Sequence, residues 1–126
     1  MLKAKVDIKD YEMEWNKFSM DYFCQVAKEI FERYPEIDGI YGSDMIICAC
    51  YAEACKHNLK VPQDIKLIAY DGTLITNCGL LNITSIVQPI EQLAQKTAQM
   101  IVSLIKNEDI EKEVIMPVFL RQGDTC

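Results

Sequence analysis

Apolar positions along this chain change spacing several times, and each change marks an element. Over residues 20–34, Tyr22, Phe23, Val26, Ala27, Ile30 and Phe31 recur at helical spacing; Asn16 or Ser19 can cap the start and Pro35 stops the run. Residues 37–42 form a short apolar run that predicts a strand leading into Ser43. Ser43 then caps a second helix through His57, where Asn58 suits the left-handed C-terminal position. Val61-Pro62-Gln63-Asp64 predicts a turn, and residues 66–70 predict a strand with little alternation, as a sheet buried on both faces requires. Residues 74–81 read as a loop with one helical turn, and residues 83–87 as extended chain. Pro89 then opens a helix to Lys106, with Ile90, Leu93, Ala94, Thr97, Ile101, Leu104 and Ile105 on one stripe. An edge strand over residues 6–15 and a last strand over residues 114–121 complete the pattern.

Strands and helices alternate, which predicts an α/β domain with a parallel, doubly wound sheet. Such sheets bind ligands at the carboxyl ends of their strands. Three polar or aromatic groups fall there: Trp15-Asn16-Lys17-Phe18-Ser19, Ser43-Asp44 and Tyr70-Asp71. A carboxylate at a strand end can accept two hydroxyl hydrogen bonds from a sugar, while an aromatic ring covers the apolar side of the sugar. Each residue also has a plain structural reading. Asp44 suits the first turn of a helix, Asp71 before Gly72 suits a turn, and Phe18 suits a core.

At 126 residues and 50% apolar, the chain can bury one core but not two. A net charge of −6 gives no basic surface to follow a phosphate backbone. No segment reaches the roughly 20 apolar residues of a membrane span, and no signal-peptide pattern opens the chain. Six cysteines lack a C-x-x-C spacing, and His57 is the single histidine, so neither a structural metal nor a disulfide framework is expected. Cys48 and Cys55, seven apart, share a helix face and read as small core residues. Free thiols fit a reducing cytoplasm.

The ordered run from Ser43-Asp44 through Val61-Pro62-Gln63-Asp64 and Ala69-Tyr70-Asp71-Gly72 to Thr84-Ser85-Ile86-Val87-Gln88-Pro89-Ile90 resembles the effector domain of lactose/galactose-repressor-type regulators. Asp71-Gly72-Thr73 with the Gln88-Pro89 segment is most similar to the sucrose-operon repressor branch. The resemblance covers the chain from Phe18 onward. It implies a type I periplasmic-binding-protein-like fold, here part of the C-terminal subdomain, and a sugar or sugar-phosphate effector. It also implies roles: Phe18 stacks on the ligand, Ser43 and Asp44 contact its hydroxyls, Asp71 binds it, Gln88 marks the crossing to the other subdomain, and Ile90 lies near it. Tyr70 joins them at the same strand end. Departures are Ala49 and Ala69, where glycine is common, and the lack of glycine at residues 20–23.

The same resemblance implies that residues 1–5 end a helix carrying a ligand-binding Arg. It further implies that a DNA-binding helix-turn-helix, the first subdomain and a central strand lie outside this chain. The helix after Gln88 is then expected to present an open apolar stripe and to pair with a second copy. Residues 44–58 and 74–81 resemble the family's dimer surface. No cofactor is implied. Two other classes share features: a transport-type sugar-binding protein has the same fold, and Asp71-Gly72-Thr73-Leu74 resembles a phosphatase motif of the haloacid-dehalogenase type. That chemistry needs a carboxylate nucleophile where this chain has Ala69.

Overall fold

The computed structural model describes residues 7–14, 16–78 and 81–126. In chain order the elements are α1 (Met20–Arg33), β1 (Gly39–Ser43), α2 (Asp44–Lys56), β2 (Lys66–Asp71), a short 3-10 turn (Leu74–Asn77), β3 (Ser85–Val87), α3 (Ile90–Ile105) and β4 (Phe119–Arg121). The four strands lie in the order β1-β2-β3-β4. The first three are parallel, and β4 runs antiparallel to β3. The last strand therefore departs from the all-parallel expectation and is shorter than residues 114–121. A connection that leaves β3, runs out along α3 and comes straight back enters its next strand from the same end, which makes the pair antiparallel.

Ser19 caps α1 by accepting the Tyr22 N–H, and the buried face of that helix carries Phe23, Val26, Ala27, Ile30 and Phe31. These pack against Ile46, Ile47, Ala49, Cys50 and Ala54 of α2 and against Ile65, Leu67 and Ala69. Asn58 ends α2 at φ 58°, in the left-handed region, while the Leu59 N–H closes on the Ala54 carbonyl at 3.0 Å. Within α2 it is Cys50 that enters the core; Cys48 is half-buried and Cys55 exposed. The seven-residue spacing did place Cys48 and Cys55 on one face, but that face turns outward. Burial, with Glu53 nearby, pushes the Cys50 thiol up to about 12.

Residues 7–14 form no ladder, so the expected edge strand is absent there; Val6 and Trp15, like residues 1–5, lie outside the described residues. Side-chain contacts hold the segment instead. The Tyr11 hydroxyl donates to Glu29 at 2.5 Å, and the Glu14 N–H donates to the Tyr22 hydroxyl at 2.8 Å. At the opposite end of the chain, Thr125 is fully buried between β2 and β3. Its hydroxyl donates to the Leu67 carbonyl and accepts the Thr84 N–H, extending the pairing below the point where the β2–β3 ladder begins.

Register assigns the two faces of the sheet. Gly42, Ala69, Ser85 and Arg121 stand in one row across the strands. A Cβ on Gly42 would meet Ile46 of α2 at 2.7 Å, so this row faces the helices. Tyr41, Ile68, Tyr70, Ile86 and Leu120 alternate with it and face the other way; none of them is buried. No residue of α3 is buried either.

Candidate functional site

β1, β2 and β3 end side by side, with Ser43 opposite Tyr70 and Asp71 opposite Val87. This is the carboxyl edge where the sequence placed its polar groups. Asp71 takes φ 108°, outside the range an ordinary side chain prefers. Such conformations cost on the order of 1–3 kcal/mol and cluster at binding sites. The surroundings hold it there. The Asp71 carboxylate accepts the Gln88 side-chain amide at 2.5 Å, and the Gln88 N–H donates to the Asp71 carbonyl at 3.2 Å. Two residues singled out from sequence thus form one polar unit, half-buried at the strand ends.

Gly72 follows at φ 68°, and a Cβ there would fall 2.5 Å from a Val87 methyl. Only glycine lets the chain turn so close to β3. Two side chains then fix the turn from below. Asp44, 3% exposed, accepts the Gly72 N–H at 3.2 Å, the Thr73 N–H at 2.6 Å and the Thr73 hydroxyl at 2.5 Å. Arg121 donates to the Gly72 carbonyl at 3.2 Å, to the Thr76 hydroxyl at 2.8 Å and to the Ser85 hydroxyl at 3.3 Å. In this arrangement Asp44 is turned inward and its oxygens hold the loop. Ser43 beside it is exposed, sits at the N-cap of α2 and makes no side-chain cap bond, so its hydroxyl faces solvent.

Phe18 is 79% exposed and packs edge-on against Phe23, with ring centroids 5.1 Å apart. It lines a groove of about 690 Å³ together with Ser43, Gly42 and Tyr41. Tyr70, Asp71 and Gln88 are not among the groove's lining residues. The sequence-derived residues therefore fall into two groups, and Tyr41 links them. It lines the groove and meets Tyr70 edge-on, with centroids 6.3 Å apart. Partial burial, then Tyr70 and the Asp71 carboxylate, raise the Tyr41 phenol above its ordinary value. Sequence reasoning passed over Tyr41 as part of an apolar strand. Strand alternation was the available signal, since Gly39, Tyr41 and Ser43 share a face. Ile90 opens α3 and is 54% exposed.

Among the described residues no set of three His, Cys, Asp or Glu is arranged to hold a metal, and no helix is long and apolar enough to cross a membrane. Ala69 is fully buried in the core, so the phosphatase-like motif has an inert methyl where a nucleophile would stand.

The model of a periplasmic binding protein-like domain matches residues 1–126. The chain belongs to that family. A ribose operon repressor of Bacillus subtilis is 33% identical over 120 residues, covering 92% of this chain and 36% of the repressor. A sucrose operon repressor of Streptococcus mutans is 33% identical over 89 residues, covering 70% of this chain and 28% of that one. A solved complex of the transcriptional regulator CelR with cellobiose superposes with a TM-score of 0.79 at 22% identity, covering 86% of this chain and 34% of that chain. These relatives are transcriptional regulators rather than enzymes. The chain spans about a third of the length of the curated relatives it matches. At the same identity, the match to the ribose operon repressor is the longer of the two.

Proposed function

We propose that this chain is the ligand-sensing portion of a cytoplasmic regulator of the lactose/galactose-repressor type, which binds a sugar or sugar phosphate at the carboxyl edge of the sheet. One observation carries the reading: Asp71, held at a positive φ at a strand end, forms a polar unit with Gln88 beside two tyrosines. Paired carboxylate and amide groups suit adjacent sugar hydroxyls, one accepting and the other able to donate. The exposed Ser43 hydroxyl adds a third polar contact, and Phe18 or Tyr70 offers a ring face. Asp44 acts through the loop it holds. The relatives' names include ribose, sucrose and cellobiose, which supports a sugar without choosing one. DNA contact belongs to a helix-turn-helix outside these residues, and the sensing portion works as a homodimer.

A few polar contacts and one ring face support weak binding, expected near millimolar, about −4 kcal/mol. NMR titration with ribose, sucrose, fructose and their phosphates reads that range. Shifts at the Gly72, Thr73 and Gln88 amides that disappear in Asp71→Asn support the site. Shifts elsewhere only, or an unchanged affinity in Asp71→Asn, overturn it.

A further inference from the structure

Glycine does not fix its own torsions, so the turn after Asp71 is set by what its peptides touch. Two peptide planes follow Asp71, and each is held at both its N–H and its C=O. In the first, the Asp71 carbonyl accepts the Gln88 N–H, and the Gly72 N–H donates to one Asp44 oxygen, both at 3.2 Å. In the second, the Gly72 carbonyl accepts from Arg121 at 3.2 Å, and the Thr73 N–H donates to the other Asp44 oxygen at 2.6 Å. The peptide between Gly72 and Thr73 thus stands between a buried carboxylate and a guanidinium. Neither Asp44 nor Arg121 has an ion-pair partner among the described residues, so the two charges meet through that peptide. Arg121 is itself fixed. It stands opposite Ser85 in the β3–β4 register, and a second nitrogen donates to the buried hydroxyls of Thr76 at 2.8 Å and Ser85 at 3.3 Å.

We propose that Arg121 is a positioning residue for the sugar site. Its bonds all run to the turn and to β3, and through the Gly72–Thr73 peptide and Asp44 it sets the angle at which Asp71 presents its carboxylate. This rests on the ligand role proposed above for Asp71 and names the residue that aims it. A backbone angle such as φ 108° persists where the surroundings over-determine it. On the near side of Asp71 the β2–β3 ladder supplies that constraint; on the far side the four bonds to the two peptides do. Without the guanidinium, the second peptide is held at one end. Asp44 then shifts with it, because its two oxygens serve the two peptides. Asp71 relaxes toward an ordinary φ, and its side chain turns away from the Gln88 amide. A guanidinium suits this task because its rigid fork serves a carbonyl and two hydroxyls together, whereas an ammonium is a single point of charge.

NMR of the 126-residue chain tests this with two readouts: the Gln88 side-chain amide resonance without sugar, and titration with ribose and with sucrose. Arg121→Met keeps the stem and removes every donor. It should move the Gln88 resonance toward its position in Asp71→Ala and weaken sugar binding roughly tenfold. Arg121→Lys keeps the charge but reaches fewer acceptors, and should fall between, about threefold weaker than wild type. Thr125→Val is the structural control. It breaks buried bonds to Leu67 and Thr84 in the same sheet, and should lower the thermal midpoint while leaving the Gln88 resonance and the sugar affinity in place. An unmoved Gln88 resonance in Arg121→Met overturns the positioning role, whether or not sugar binds. Wild-type values in Arg121→Lys overturn it as well, even where the methionine variant does not fold. A moved resonance in a protein that binds neither sugar supports the hold of Arg121 on Asp71 and overturns the sugar reading instead.

Discussion

Replacing Asp44 by alanine should destabilise the protein far more than replacing its neighbour Ser43. The Asp44 side chain is 3% exposed and accepts three hydrogen bonds, two from backbone N–H groups of Gly72 and Thr73 and one from the Thr73 hydroxyl. Removing the carboxylate leaves two N–H donors without an acceptor, at about 1–3 kcal/mol each, while the Thr73 hydroxyl can turn to water. Gly72 is half-buried and Thr73 exposed, so water reaches part of the gap and the expected loss is about 2–4 kcal/mol. For a domain of this size that lowers the thermal midpoint by on the order of 10 °C. Asp44→Asn keeps one acceptor oxygen and should lose about half as much. Ser43→Ala removes an exposed hydroxyl that makes no cap bond, and should stay within about 0.5 kcal/mol of wild type. Urea denaturation followed by circular dichroism measures all three, and hydrogen exchange at Gly72 and Thr73 reports the local effect. An Asp44→Ala protein as stable as Ser43→Ala would refute the inward role of this acid and return it to the ligand.

Gly72→Ala combines a positive φ with a clash against Val87 and should cost about 2–4 kcal/mol in the same assay; a neutral result would mean the turn is not held as described. Thiol labelling at pH 8 should modify exposed Cys24, Cys55, Cys78 and Cys126 first, Cys48 more slowly because burial raises its thiol, and Cys50 last. Early modification of Cys50 would show that the core opens. The bond to Glu29, with burial, raises Tyr11 from 10.0 to about 12. A folded-state value above the unfolded one gives stability that is full below pH 10 and lost as pH rises toward 12. Tyr11→Phe should therefore lower stability at neutral pH, by under about 1 kcal/mol, and flatten the alkaline part of the stability profile. A profile that matches wild type between pH 9 and 12 would dismiss the contact.

Elements with strong local signals were legible in the chain. The caps and breakers around α1, the Ser43 start and Asn58 end of α2, and the apolar run of β2 all lie near where the pattern put them. Each signal is set by residues within one element. What failed depends on pairing. Residues 7–14 alternate like a strand yet bond through side chains to α1, and the direction of β4 follows from the path of the chain through α3 before it. The same distinction runs through the site. Strand ends and the Asp-Gly turn placed Asp71, but nothing local says that Asp44 points at the Gly72 and Thr73 amides, 28 and 29 residues away. Arg121 and Thr125 are further cases, since their partners lie between 36 and 58 residues upstream.

The two acids therefore differ for a reason that register supplies. Asp44 begins α2 directly after β1, where a side chain facing the neighbouring β2 turn finds two backbone donors and loses its solvent. Asp71 ends β2 at φ 108°, and among the described residues its carboxylate accepts from the neutral side-chain amide of Gln88. An acid saturated by backbone donors cannot give them up without unfolding the turn. An acid bonded to a flexible amide can exchange that bond for a ligand hydroxyl at little net cost, because one hydrogen bond replaces another. Gln88 is also the last residue before Pro89 and α3. A sugar hydroxyl that took the place of the Gln88 amide on Asp71, as proposed, would act at the residue where β3 passes into α3.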